Sequence, residues 1–300
     1  MPKVSTVTLS SILDAREVTL PDFDKQYLDD VSFVTAMTLV LMGNYCQTGH
    51  FGGPLAYTPY TVASHLIGPE LGGLKYDYRR PKHPYSDKFM LAGGHNAPVT
   101  YALWMVLGEA LYQKYQNTGD KKYQADYNQT LLPIDCIGFR RSKQGMRTIL
   151  EQNGLVDHPA MAQAQVRGIR ALSGHSESTD ATNDVNGGPS GIGIATAAGK
   201  ATFWDIIGAS ESPKVMAVEG EFAMTSGHSQ EMKTQAVAQQ VGKRLRILMS
   251  YNNAGIDDEL IGGVIQPQYE SYRIVDQWTS YGWNVFSVDD ANDMGQVVAA

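Results

Sequence analysis

Cysteine is scarce in this chain of 300 residues, with only Cys46 and Cys136 present. Their spacing suits neither a metal-ligand cluster nor a disulfide framework, which fits a reducing compartment. Charge is sparse too, at 18% of residues with a net −7, and that balance argues against nucleic acid or an anionic membrane as the main partner. No apolar run is long enough to span a bilayer. Val34–Leu41, with Val34, Met37, Val40 and Leu41, reads instead as the buried stripe of a helix. Met1-Pro2-Lys3-Val4 does not open a secretory leader, so the cytoplasm is the expected location. Neither an internal repeat nor a low-complexity tract is visible. What remains is an ordinary globular composition, 43% hydrophobic, with enough chain for one large α/β domain or two small ones.

Residues 1–30 read as an N-terminal arm, and Asp29 or Asp30 as the cap of a helix running to about Tyr45. A turn-rich loop at Thr48–Pro54 and a helical run to Ile67 follow. Phe89-Met90-Leu91 leads through Gly93-Gly94-His95-Asn96 into a helix ending near Tyr115. Residues 116–170 carry no clear pattern, and 173–190 form a long polar loop of the kind that is usually functional or disordered. Gly191–Ile207 is helical. Lys214–Val218 and Leu245–Met249 are short buried strands, joined by a helix whose inner face carries Met232, Ala236, Val237 and Val241. A strand–helix–strand crossover makes the two strands parallel. The expected fold is a parallel α/β sheet with helices on both faces, spanning 31–300.

If those strands are neighbours, Glu221 and Asn252 sit at the carboxyl edge of the sheet, where open α/β sheets bind ligands. A carboxylate at one strand end and an amide at the next suit magnesium, which takes few protein oxygens and fills its shell with phosphate and water. Glu221, the Asn252 side chain and the Ala254 carbonyl would supply three. On spacing alone, polar turns that merely cap the strands are the more economical reading. A dinucleotide fingerprint at Gly191-Ile192-Gly193 is rejected, because no strand directly precedes it.

The order of motifs changes that balance. Gly220-Glu221-Phe222, Ser226-Gly227-His228-Ser229-Gln230-Glu231 and Tyr251-Asn252-Asn253-Ala254-Gly255-Ile256-Asp257 resemble the thiamine diphosphate motif. Thr48-Gly49-His50, Ser86–Leu91 with Gly94-His95, Ser173-Gly174-His175-Ser176-Glu177 and Gly188-Pro189-Ser190-Gly191-Ile192-Gly193 resemble transketolase segments in the same order. Tyr281–Val285 resembles the strand that follows the metal site. The resemblance covers about 30–115 and 172–300.

It implies the thiamin diphosphate-binding fold, specifically its diphosphate-binding domain. It also implies thiamine diphosphate and Mg2+ as cofactors, and transfer of a two-carbon ketol unit from a ketose phosphate to an aldose. Glu221, Asn252 and Ala254 would hold the metal. Gly188, Ser190, Gly220, Phe222, Asn252 and Tyr76 would lie at the cofactor, with Tyr76 where the family has a histidine and His83 nearby. His175 would contact the reacting carbons of the donor and His50 its hydroxyls, while Glu231 would join a network between subunits. His65, His95, His158 and His228 read as loop residues capping helices.

The departures are Glu221 for an aspartate, Phe222 for a glycine and Ser226 for a glutamate. The arginine for the substrate phosphate is unplaced among Arg140, Arg141, Arg147, Arg167 and Arg170. The family's activating glutamate belongs to a pyrimidine-binding domain that nothing here matches, so a partner is expected. It would come from the same longer chain or a separate subunit, in a homodimer or heterotetramer. The chain reads as a fragment of a longer enzyme, with a split-gene subunit as the alternative. Rival activities are a 1-deoxyxylulose-phosphate-synthase-like enzyme and a non-catalytic scaffold.

Overall fold

The computed structural model describes residues 5–11, 16–20, 22–126, 128–157, 168–179, 183–209, 213–252 and 274–300. An antiparallel hairpin comes first, β1 (Ser5–Ser11) with β2 (Arg16–Leu20). On the first face of the central sheet lie α1 (Lys25–Cys46), α2 (Gly52–Ala56), α3 (Thr58–Leu66) and, after strand β3 (Lys88–Leu91), α4 (Ala97–Thr118). A surface helix, α5 (Lys143–Gln152), follows. α6 (Ile192–Ile206), β4 (Val215–Gly220), α7 (Gly227–Ala238) and β5 (Leu245–Ser250) carry the chain to the second face. α8 (Ile274–Ser280), the two-residue β6 (Phe286–Ser287) and α9 (Met294–Ala299) end it.

Strand alternation sets the layers, because successive side chains point to opposite faces. Phe89, Leu91, Met216 and Val218 enter one apolar cluster, with α1, α3, α4 and α9. Met90, Ala92, Val215 and Ala217 enter the other, with α6, α7 and Trp278 of α8. β3, β4 and β5 are parallel in that order, with Leu91 opposite Val218 and Gly220 opposite Ser250. The parallel sheet with helices on both faces is therefore as the sequence predicts.

Three expectations are corrected. α1 begins earlier: Asp24 caps it, accepting from Tyr27 N at 3.0 Å, and Asp29 pairs with Lys25 instead. Val34, Met37, Val40 and Leu41 are exposed, at 45–51%, and the buried side of α1 is Leu28, Thr35, Leu39, Met42 and Cys46. The helix is apolar on two sides, and the second packs against α3, α4 and α9. Finally, Tyr281–Val285 is not a strand. Trp283 and Val285 pack on the second cluster, and β6 after them pairs antiparallel with β1, which places it outside the parallel sheet.

Among the described residues no helix is long and apolar enough to cross a membrane. Cys46 and Cys136 are both free and buried.

Candidate functional site

Register brings the acidic turn together. Gly220 and Ser250 are paired at the ends of β4 and β5, so Glu221 and Asn252 leave the sheet side by side. Glu221 N donates to Ser250 O at 3.2 Å, and Glu221 Oε1 accepts from Asn252 N at 2.9 Å. Glu221 is 3% exposed, whereas Asn252 is open to solvent. Ala254 lies outside the described residues.

Sequence reasoning missed a second carboxylate. Glu219, 1% exposed, is still within β4 and accepts from Gly220 N at 3.0 Å and Gly191 N at 3.3 Å. Burial raises its pKa against those two hydrogen bonds, which favour the charged form. Gly93 leaves it room, since a Cβ there would stand 2.8 Å from Glu219 Oε1. The available signal was the pair of acids flanking Gly220. Tyr57, also missed, faces both. Burial first, then Glu219 and Glu221, push its phenol pKa up, while a hydrogen bond with Ser250 works the other way.

Gly188 and Ser190 are exposed on the loop entering α6. Gly191, at φ 84°, caps that helix without a side chain, and a Cβ there would meet Ser226 Oγ at 2.0 Å. The first N–H groups of α6 thus keep their attraction for an anion. Ser226 serves the fold locally, capping α7. Phe222 is half-buried and opens a short 3-10 turn, Phe222–Thr225. Tyr76 places its ring in the core, edge-on to His65 at 5.4 Å and Trp104 at 5.3 Å. Burial and nearby Asp184 raise its phenol pKa. His83 is exposed beside Tyr85.

The loops that carry the histidines are laced to one another. Ser176 N donates to Gly94 O and Gly187 N to Ser176 O, both at 2.9 Å. A Cβ on Gly94 would lie 1.8 Å from Gly187 O, so the crossing requires glycine. His50 and His95 stand edge-to-face at 5.3 Å. Burial lowers the pKa of His95, and His50 and His175 lower it further. His95, expected to be a capping residue, is therefore grouped with His50 and His175 at one rim. Glu231 and His228 are exposed on α7, and His158 lies outside the described residues.

Among the described residues no three His, Cys, Asp or Glu side chains converge as a metal-ligand set. One buried carboxylate, a neighbouring exposed amide and an uncapped helix N-terminus do fit magnesium carried by a diphosphate, since most of its oxygens then come from ligand and water.

Fold and turn define an α/β domain of the thiamine diphosphate-binding class. Residues 155–300 match the family described as transketolase, thiamine diphosphate binding domain. Transketolase 1 of Candida albicans is 25% identical over 263 residues, 85% of this chain and 30% of that protein. Transketolase-like protein 2 of Mus musculus is 30% identical over 94 residues, 31% of this chain and 14% of that protein. A transketolase variant from Pichia stipitis in complex with xylulose 5-phosphate superposes with a TM-score of 0.62 at 19% identity, over 91% of this chain and 33% of its own. The chain thus spans a third or less of the length of these three relatives. These likenesses are to the N-terminal, diphosphate-binding half of the transketolase family.

Proposed function

We propose that this chain supplies the diphosphate and magnesium half of a transketolase-like active site, which moves a two-carbon ketol unit from a ketose phosphate to an aldose. The observation that carries the reading is the pairing of Glu221 with Asn252 across β4 and β5, beside the open N-terminus of α6. Glu221, the Asn252 amide and the Ala254 carbonyl would hold the metal; Gly188, Ser190, Gly220 and Phe222 would border the cofactor. The carbanion chemistry is the cofactor's own contribution. His175 moves protons at the donor's reacting carbons, and His50 orients its hydroxyls. Phe222 and Glu221 are bulkier than the family's residues, so the turn is shifted rather than lost.

The site is completed by a pyrimidine-binding domain, in the same longer chain or a second subunit of a dimer or heterotetramer in the cytoplasm. The chain alone therefore gives no ketol transfer, and turnover above background without a partner overturns this part. The central test is calorimetric titration of thiamine diphosphate with magnesium into the complete assembly, repeated with Glu221→Ala and Asn252→Ala. Binding lost in both variants supports the reading. No magnesium-dependent binding to the unmutated protein at millimolar cofactor leaves a scaffold role in its place.

A further inference from the structure

One side of α1 packs into the first core cluster, and the other carries a second apolar stripe that the described residues leave open. At helical spacing Phe33, Val34, Met37, Val40 and Leu41 fall within about 120° of one another. All five are exposed, Phe33 the most at 67%. Tyr27 and Tyr45 flank them and are exposed too. No Asp, Glu, Lys or Arg occurs between Val31 and Pro69, so the stripe lacks the charge that a solvent-facing helix surface normally carries. Seven large side chains, each about half open, present roughly 700 Å² of apolar surface, if each offers about 200 Å² when free. Contiguous patches above a few hundred Å² mark interaction sites, and a stable pair of proteins buries roughly 800 Å² on each side.

The pattern of the stripe selects the occupant. Phe33, Met37 and Val40 recur at spacings of four and three, with Val34 and Leu41 one residue further on, which is the heptad seam of a helix that pairs with another helix. The seam is also symmetric. Seven residues before Met37 stands Asp30, and seven after it Asn44, both exposed. On an antiparallel second copy with the two-fold axis at Met37, Phe33 and Val34 of one helix lie level with Leu41 and Val40 of the other. Asp30 then lies level with Asn44, about 10 Å from the axis at 1.5 Å per residue, where the amide can donate to the carboxylate. A parallel pair would instead set Asp30 against Asp30, and like charges repel. Anionic lipid fits poorly, because the stripe has no basic border and Lys25 is already paired with Asp29. α1 lies across the sheet from α6 and α7, so this contact is additional to the subunit network expected at Glu231.

We propose that the outer stripe of α1 is a self-association surface, on which the same stripe of a second copy of this chain docks antiparallel about a two-fold axis at Met37. The inference does not depend on the proposed function. Sedimentation velocity of the complete assembly at micromolar concentration, unmutated and as Met37→Glu, tests it first. The unmutated assembly should have at least twice the mass of the variant, whose association should weaken roughly 100-fold or more, because two carboxylates then face each other at the axis. Met37 is exposed, so the urea midpoint of the variant should hardly move. Mild oxidation of Met37→Cys gives a second readout, since Cys46 and Cys136 are buried. Helix axes 8–10 Å apart bring two axial positions within disulfide reach, whereas Asp30 lies about 21 Å from its counterpart. Met37→Cys should therefore link two copies and Asp30→Cys should not. Equal masses for the unmutated assembly and Met37→Glu, with no link at position 37, overturn the proposal. A link at position 30 replaces the antiparallel pair with a parallel one and overturns it too. So does a Met37→Cys that links only to a different polypeptide. Binding to phosphatidylcholine vesicles that Met37→Glu abolishes makes the occupant lipid and overturns it as well.

Discussion

His65 and the group His50, His95 and His175 differ in surroundings rather than in local sequence. His65 is 5% exposed, and its Nδ1 lies 2.7 Å from Thr61 O, one helical turn back. The rings of Phe89, Trp104 and Tyr76 meet it edge-on at 4.7, 5.1 and 5.4 Å. Burial lowers its pKa to about 4, so the ring serves the core as a neutral aromatic body. The rim histidines sit on loops after strand or helix ends, partly open to water and held by backbone crossings instead of apolar packing. A histidine whose ring is caged supports the fold; one presented by glycine-bearing loops at the carboxyl edge of a sheet remains available for chemistry.

Deleting one imidazole from each region breaks the comparison most directly. In the complete assembly His175→Ala should lower turnover by about 10²–10⁴, the usual range for a lost acid–base group. Its melting temperature should hardly change, because truncation of a half-exposed loop side chain leaves no closed cavity. Normal specific activity with a large loss of stability would reverse its assignment. His65→Ala should do the opposite, costing about 2–4 kcal/mol in urea denaturation for the void left among three aromatic rings. An unchanged urea midpoint would show that the cage collapses around the gap.

Titration sharpens the contrast. The folded pKa of His65, about 4, lies below the 6.5 of an unstructured histidine, so between these values the unfolded chain binds a proton that the folded one refuses. Stability should hold above pH 6.5 and be lost as pH falls toward 4, by up to about 3 kcal/mol for this group. Burial of His95 acts in the same direction. Urea midpoints measured across that window should flatten in part in His65→Phe, and an equal slope in both proteins would assign the effect elsewhere.

The smallest effect belongs to the second face of the sheet. Lys233 is fully buried, its ammonium bonded to Gln230 Oε1 at 2.6 Å and Gln277 Oε1 at 2.5 Å, and burial alone lowers its pKa to about 8. From pH 8 to 10.5 the unfolded chain again holds the extra proton, so stability rises with pH there. Lys233→Met should cost less than about 1 kcal/mol at neutral pH, since apolar replacement of a buried charge is often near neutral. It should also remove the alkaline rise, and a rise that persists would place the titrating group elsewhere.

The positions of β4 and β5, the loops bearing His50 and His175, and the adjacency of Glu221 and Asn252 were legible, because short apolar runs and glycine-rich turns are local signals; β1 and β2, inside the stretch read as an arm, were not. Glu219 was not. It lies inside β4, where one acid among apolar residues looks like the beginning of the turn, and only packing against Gly93 and Gly191 marks it as part of the site. His95 was read as a cap because its neighbours, His50 and His175, are 45 and 80 residues away in the chain.

The sequence by itself determined that β4 would be a buried strand and that the turn after it would be acidic, whereas β5, expected to be buried as well, is half-buried beyond Leu245 with Arg246 exposed. Apolar runs and glycine placement act within a few residues. It could not determine which apolar side of α1 would be covered. Leu39 and Met42 are as greasy as Met37 and Leu41, and only the positions of α3, α4 and α9 bury the first pair. Nor could it bring Arg140 against Gly174 and Thr48. That placement rests on the bridge between Phe139 and Leu172, a long-range pairing set by tertiary packing and invisible to any local pattern.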